Sequence, residues 1–354
     1  MNVNNYFSDA VGLLKKFISI PSVSGEENRL ADFLEITLKE KKYFPKRKGN
    51  NIWLMSPDWN DNKPTILLNS HIDTVKPVSG WTKEPFQPME EDGKLFGLGS
   101  NDAGASVVSL LQVFFILSQA QQENNFIFLA SCEEEISGKN GAESILPELP
   151  QIDLGIVGEP TSMQPAIAEK GLMVLDGVVY GKAGHAAREE GENAIYKAIS
   201  VIEWFKNHRF PAVSPLLGPV KMTVTGVQSG IQHNIIPDEC KFTVDVRTNE
   251  FYTNEALFES ISAACGAEVQ ARSFRLNSSR IAPEHPIVQR AIELGMTPFG
   301  SPTLSDQTFM SFPSVKIGPG NSARSHTADE YIIKTEIAEA ITGYLALLNN
   351  LKIR

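Results

Sequence analysis

Only three cysteines occur in 354 residues. Cys132, Cys240 and Cys265 lie too far apart for a disulfide framework or a paired zinc motif. Each reads as a small buried residue, and the set fits a reducing compartment. No run of 18 apolar residues stands out, so a membrane span is not expected. Basic runs are as scarce: Lys15-Lys16 and Lys46-Arg47-Lys48 are the longest, against a formal net charge of −10. Neutralising phosphates needs a basic face, so nucleic acid is not an expected partner. Met1-Asn2-Val3-Asn4-Asn5 has neither the basic nor the apolar block of a secretory signal, and the expected location is the cytoplasm. Internal repeats and low-complexity stretches are also missing.

What remains is the composition of an ordinary globular protein, 42% hydrophobic and 21% charged, with length enough for two domains. Leu30, Phe33, Leu34 and Leu38 mark an amphipathic helix, with Ser24 as its expected cap and Glu26 and Glu27 in its first turn. Three apolar runs, at 65–70, 126–130 and 154–157, predict buried strands. A helix is expected over 107–117. Buried strands alternating with helices predict an α/β fold, its sheet covered on both faces. From about Leu172 the pattern changes. Strands at 173–180, 221–227, 241–246 and 267–274, with helices at 194–205 and 253–264, predict a compact α+β unit. A helical face of Ile337, Ile341, Tyr344, Leu345 and Leu348 closes the chain. The expected boundaries are 1–172 and 283–354 for one domain, interrupted by 173–282.

Hard ligands cluster at the ends of the predicted strands. His71 and Asp73 follow the first, Glu133-Glu134-Glu135 the second and Glu159 the third, while Asp102 sits in the turn Gly97–Gly104. Strand C-terminal ends are where open α/β sheets bind substrates. Asp73 could fix the His71 tautomer, the usual company of a metal-ligating imidazole. Taken alone, Asp102 also reads as an N-cap and the glutamate trio as a solvated turn. Three adjacent carboxylates after a buried strand are nonetheless costly without cations, and one can ligate while its neighbour acts as base. His326 follows the loop Gly318-Pro319-Gly320; for it to join His71, the middle segment must be an insertion. His185 stands among small residues, free to reach a developing oxyanion. Asn234 offers polar donors, and Arg247 could clamp a substrate carboxylate or pair with a structural acid. Two imidazoles and several carboxylates suit a two-metal hydrolytic site.

The ordered set Ile20-Pro21-Ser22-Val23-Ser24, His71-x-Asp73, the Asp102 turn, Glu134-Glu135, Gly158-Glu159-Pro160-Thr161, Gly184-His185-Ala186 and Ser325-His326-Thr327 resembles the metal-dependent M20 peptidases and amino-acid deacylases. Length and motifs look most like the acetylornithine deacetylase branch, with desuccinylases and acetyl-lysine deacetylases nearby. The resemblance implies a zinc-exopeptidase-like mixed sheet covered by helices, with an inserted ferredoxin-like lid and dimerisation domain. It implies two divalent ions, zinc first and cobalt as the alternative. Asp102 would bridge them, His71 and Glu159 would complete one, and Glu135 and His326 the other. Glu134 would be the base, Asp73 the orienter of His71, and His185 an oxyanion contact made across a homodimer. Asn234 and Arg247 match positions near the family's substrate-carboxylate contacts. The substrate implied is a small N-acyl amino acid, N-acetyl-L-ornithine first. N-acyl-citrulline, N-acyl-lysine, succinyl-diaminopimelate and di- or tripeptides are the alternatives, and a non-catalytic binding relative is the distant one. Two departures stand out: Leu98 and Gly104 replace the family's usual Arg and Lys. A third, Glu133 for Asp, is chemically equivalent.

Overall fold

A computed structural model describes residues 3–188 and 190–353, so Met1 and Asn2 of the N-terminal reading lie outside it. The chain forms two compact units. One comprises Met1–Ile167, Arg280–Phe299 and Ser305–Arg354, the other Ala168–Ser279 with Gly300–Leu304.

The first unit is α/β. Thr65–His71 and Asn125–Ser131 are buried along their whole length, as strands covered on both faces must be. They pair in parallel, and Leu154–Val157 and Ser314–Lys316 extend the parallel core on the far side of Thr65–His71. Antiparallel strands flank it: Asn51–Met55 and Lys46–Lys48 on one side, Ala166–Glu169 on the other. The mixed sheet thus puts His71, Ser131 and Val157 at neighbouring strand ends. A small antiparallel sheet of Met89–Glu91, Lys94–Phe96 and Tyr331–Ile333 stands beside the Asp102 turn.

Ser100–Leu117 is the stretch that comes nearest to a membrane span. Among the described residues it has both the length and the apolar composition to cross a membrane, yet 94% of it is buried inside the protein. Every side chain of the helix Ala105–Leu117 is buried, so its apolarity serves a core. Phe114 packs against Phe128 and Tyr43 at ring-centroid distances of 6.3 and 6.1 Å. Phe114→Ala should therefore cost about 3–5 kcal/mol, read as a lowered denaturant midpoint.

The expected cap at Ser24 is corrected. The helix runs Asn28–Glu40 with Glu27 at its N-cap and no side-chain cap. Ser24 Oγ instead donates to Asp73 Oδ2 at 2.7 Å. A tertiary acceptor outcompeted the local one.

The second unit orders its antiparallel strands Lys221–Ser229, Glu239–Thr248, Gly171–Tyr180, Glu268–Ala271. With helices Ala194–Asn207 and Asn254–Ala264 this is the ferredoxin-like βαββαβ arrangement. Gly171–Tyr180 alternates buried with less buried positions. Its buried face joins Phe205, Phe242, Val244, Leu257 and Ile261 in one core. The return of Gly300–Leu304 to this unit has no counterpart in the expected limits 173–282. It rests on short pairing, with Lys170 N–H donating to Ser301 O at 3.1 Å, too brief to leave a periodic signal.

Candidate metal centre

The first unit brings seven of the expected residues together: His71, Asp73, Asp102, Glu134, Glu135, Glu159 and His326. Strand Thr65–His71 delivers a fully buried imidazole. Its Nδ1 lies 3.0 Å from the main-chain oxygen of Asp73 and 3.5 Å from the Asp73 carboxylate. Both the carbonyl and the carboxylate of Asp73 therefore face Nδ1, the carbonyl at the shorter distance. Donation from Nδ1 leaves the Nε2 lone pair for a ligand. Nε2 lies 3.2 Å from Asp102 Oδ1 and 3.6 Å from Glu159 Oε1.

The Asp73 carboxylate has a second task. It accepts the Glu134 and Glu135 N–H groups at 3.0 and 3.1 Å, while Glu27 Oε1 accepts the Glu133 N–H at 3.2 Å. Buried carboxylates thus brace the acidic turn from behind, residue by residue. Across the site, His326 Nε2 lies 2.9 Å from Glu135 Oε2 and 3.7 Å from Asp102 Oδ2. Asp102 is the carboxylate that faces both imidazoles.

The electrostatics follow. Burial would depress His71, but Asp102 and Asp73 beside it more than reverse this and hold it well above its ordinary value. Hydrogen bonding to Glu135 lifts His326 to about 9. Burial pushes Glu134 well above the usual carboxylate range, with Glu159, Asp306 and Glu135 adding repulsion. Glu159 is raised chiefly by burial as well, and its Oε1 is a buried oxygen with no hydrogen-bond partner.

These residues fit divalent cations. Ligand atoms of His71, Glu134 and Glu159 lie within 4.8 Å of one another, as do those of His71, Asp102 and Glu135. An orphaned carboxylate oxygen inside such a cluster is what a cation would satisfy.

The remaining expected residues belong to the second unit. His185 is exposed, and its Nδ1 accepts the Ala187 N–H at 3.1 Å, so Nε2 carries the ring proton. Asn234 lends its main-chain oxygen to Ala186 N–H at 3.0 Å, tying its loop to that of His185. Arg247 donates Nε and Nη2 to Asp245 at 2.9 and 3.0 Å, the structural pairing left open as one of its two readings.

Several positions escaped sequence reasoning. Glu330, 2% exposed, accepts three main-chain N–H groups around Asp102. Asp306 is buried between Asn69 Nδ2 and Ser131 Oγ at 2.9 and 2.7 Å. Ser24 and Glu27 belong with them. Glu330, four residues past His326, and Ser24, inside the Ile20–Ser24 motif, carried positional hints only. Gly104 has a physical reason for departing from lysine: its N–H donates to Gly99 O at 3.0 Å. A Cβ there would lie 2.4 Å from that oxygen and 2.7 Å from Leu14 Cδ1. Cys132, directly before the acidic turn, is buried, and burial with Glu27 and Glu133 nearby pushes its thiol up to about 12. With Cys240 and Cys265 also buried, the native protein should react with no aromatic disulfide reagent until denatured; fast titration of a thiol would contradict this packing.

Residues 67–350 match the model of peptidase family M20/M25/M40. Succinyl-diaminopimelate desuccinylase of Wolbachia pipientis subsp. Culex pipiens is 25% identical over 289 residues, 77% of this chain and 73% of that protein. Acetylornithine deacetylase of Pectobacterium atrosepticum is 30% identical over 299 residues, 77% of this chain and 76% of that protein. Among solved structures, aminopeptidase PepT from Bacillus cereus superposes with a TM-score of 0.80 at 18% identity, covering 98% of each chain; that likeness speaks for the fold. A family match over most of the length, and a relative of this identity over three quarters of it, place the chain in peptidase family M20/M25/M40 as a metal-dependent hydrolase.

Proposed function

We propose that this protein hydrolyses the amide bond of a small N-acyl amino acid, with N-acetyl-L-ornithine as first substrate and arginine biosynthesis as its setting. The observation that carries the hydrolytic reading is Asp102 standing between His71 and His326, with the Glu134 carboxylate inside the same cluster. The choice of acyl amino acid leans on the 30% identity to an acetylornithine deacetylase.

Asp102, His71 and Glu159 would hold one divalent ion, and Asp102, Glu135 and His326 the other. Imidazole and carboxylate donors suit zinc first and cobalt second. Bound there, the ions supply Lewis-acid polarisation of the acyl oxygen and lower the pKa of a bound water toward about 7. Glu134 takes a proton from the attacking water and hands it to the leaving amine. Its raised proton affinity in the buried site suits both transfers. Asp73 keeps the acidic turn and the His71 ring in register. His185 donates Nε2–H to the oxyanion. Asn234 and the Nη1 side of Arg247, which lies outside the Asp245 pair, meet the substrate carboxylate.

We place the protein in the cytoplasm as a homodimer, with His185 acting across the dimer. Lys221–Ser229 ends its sheet with an outer edge unpaired among the described residues. Val227 on that strand and Tyr196 on the helix Ala194–Asn207 are 56% and 72% exposed. Gel filtration should give a dimer, and a fully active monomer would remove the trans role of His185.

The test of substrate is a panel of N-acetyl and N-succinyl amino acids against di- and tripeptides, with zinc or cobalt supplied. The highest kcat/KM is expected for N-acetyl-L-ornithine. Faster turnover of peptides would assign the protein to the peptidase side of the family, and faster turnover of a succinyl or other acyl substrate to that deacylase.

A further inference from the structure

Glu330 is a carboxylate almost wholly out of water, yet its partners are main-chain amides. Oε1 accepts the N–H groups of Asn101 and Asp102 at 2.8 and 2.9 Å, and Oε2 that of Gly99 at 3.1 Å. Its own main-chain oxygen accepts Gly97 N–H at 3.0 Å, continuing the strand pairing of Tyr331 with Phe96. One residue therefore gathers four amides of the turn that carries Asp102. The same turn is tied to the His326 loop through Asn101. Its Oδ1 accepts Asn321 N–H at 3.0 Å, and its Nδ2 donates to Asn321 O and Ser325 Oγ at 3.1 and 3.2 Å. Gly320 makes room for that contact, since a Cβ there would lie 2.2 Å from Asn101 Oδ1.

We infer that Glu330 is a positioning residue that sets the spacing of Asp102 from His326. The inference rests on the assignment of both residues as metal ligands. Burying a carboxylate against amides is costly unless several donors converge on it, and here they converge on the backbone of a ligand. A glutamine at 330 keeps the size but turns an N–H₂ toward one of three N–H donors, so one edge of the cradle becomes repulsive. The turn then loses its fixed distance from the His326 loop, which lies four residues before Glu330 in sequence. Residues that orient ligands typically matter 10–100-fold in metal affinity.

The experiment is a cobalt titration of metal-free wild type and Glu330→Gln, read by competition with a chromophoric chelator and by the visible spectrum of bound cobalt. Wild type should bind two ions. Glu330→Gln should bind cobalt about 10–100-fold more weakly, most of all the ion that Asp102 would share with Glu135 and His326, with an altered cobalt spectrum. Should Glu330→Gln fail to fold, Glu330→Asp, which keeps the charge and shortens the reach, is read in the same way and should also weaken one ion. Unchanged affinity for both ions, including the case of a lowered melting temperature alone, would overturn the positioning role and leave the metal assignment standing. No cobalt on wild type would overturn both.

Discussion

Glu134→Gln should retain metal binding and the wild-type melting temperature while losing about 10²–10⁴-fold in kcat, the usual weight of a positioned acid–base group. The Glu134 main chain is fixed by its N–H bond to Asp73 Oδ1, so the substitution leaves the turn where it is. The carboxylate reaches the same small volume as His71 and Glu159, yet the five other first-rank ligands suffice for two ions without it. Glutamine fills the same space and cannot take a proton. It also replaces a carboxyl group whose charged form burial and like-charged neighbours already disfavour, which should leave the fold at least as stable. Steady-state kinetics with metal analysis on one preparation reads both halves. Near wild-type turnover in Glu134→Gln would remove its role as base.

Divalent metal should stabilise the first unit strongly. Asp102, Glu134, Glu135 and Glu159 face one another with two imidazoles between them, and burial raises the proton affinity of Glu134 and Glu159. A ligand that binds only the folded form stabilises it by about 4 kcal/mol at a thousandfold excess over Kd. At about 2–4 °C per kcal/mol for a unit of this size, zinc or cobalt should raise its melting temperature by on the order of 10 °C. Asp102→Asn should lose most of that shift, because Asp102 faces both imidazoles. Scanning calorimetry with chelator and with metal reads the effect, and coincident transitions would contradict it.

The α/β core and the candidate ligands were legible because burial on both faces forces continuous apolar runs, with His71 closing one and the acidic turn Glu133–Glu135 following another. Thr65–His71 and Asn125–Ser131 are such runs. The antiparallel second unit was legible for a different reason: Gly171–Tyr180 buries alternate positions. What supports the ligands was not legible. Ser24 resembled a helix cap, and nothing local says that its hydroxyl turns to Asp73, 49 residues on. Glu330 meets Asp102 across 228 residues, through a three-residue strand too short for any pattern. Ser100–Leu117 shows the converse, a composition that would suit a membrane put to use as a buried helix. The departures at 98 and 104 are also packing facts, Leu98 being buried and Gly104 lying against the carbonyl of Gly99.

Turnover should depend strictly on bound metal. Metal-free protein given the best substrate of the acyl amino acid and peptide panel and increasing zinc or cobalt should be inactive at first and rise to a plateau at two equivalents per chain. Full hydrolysis in the presence of excess chelator, or a plateau reached with no metal bound, would contradict it.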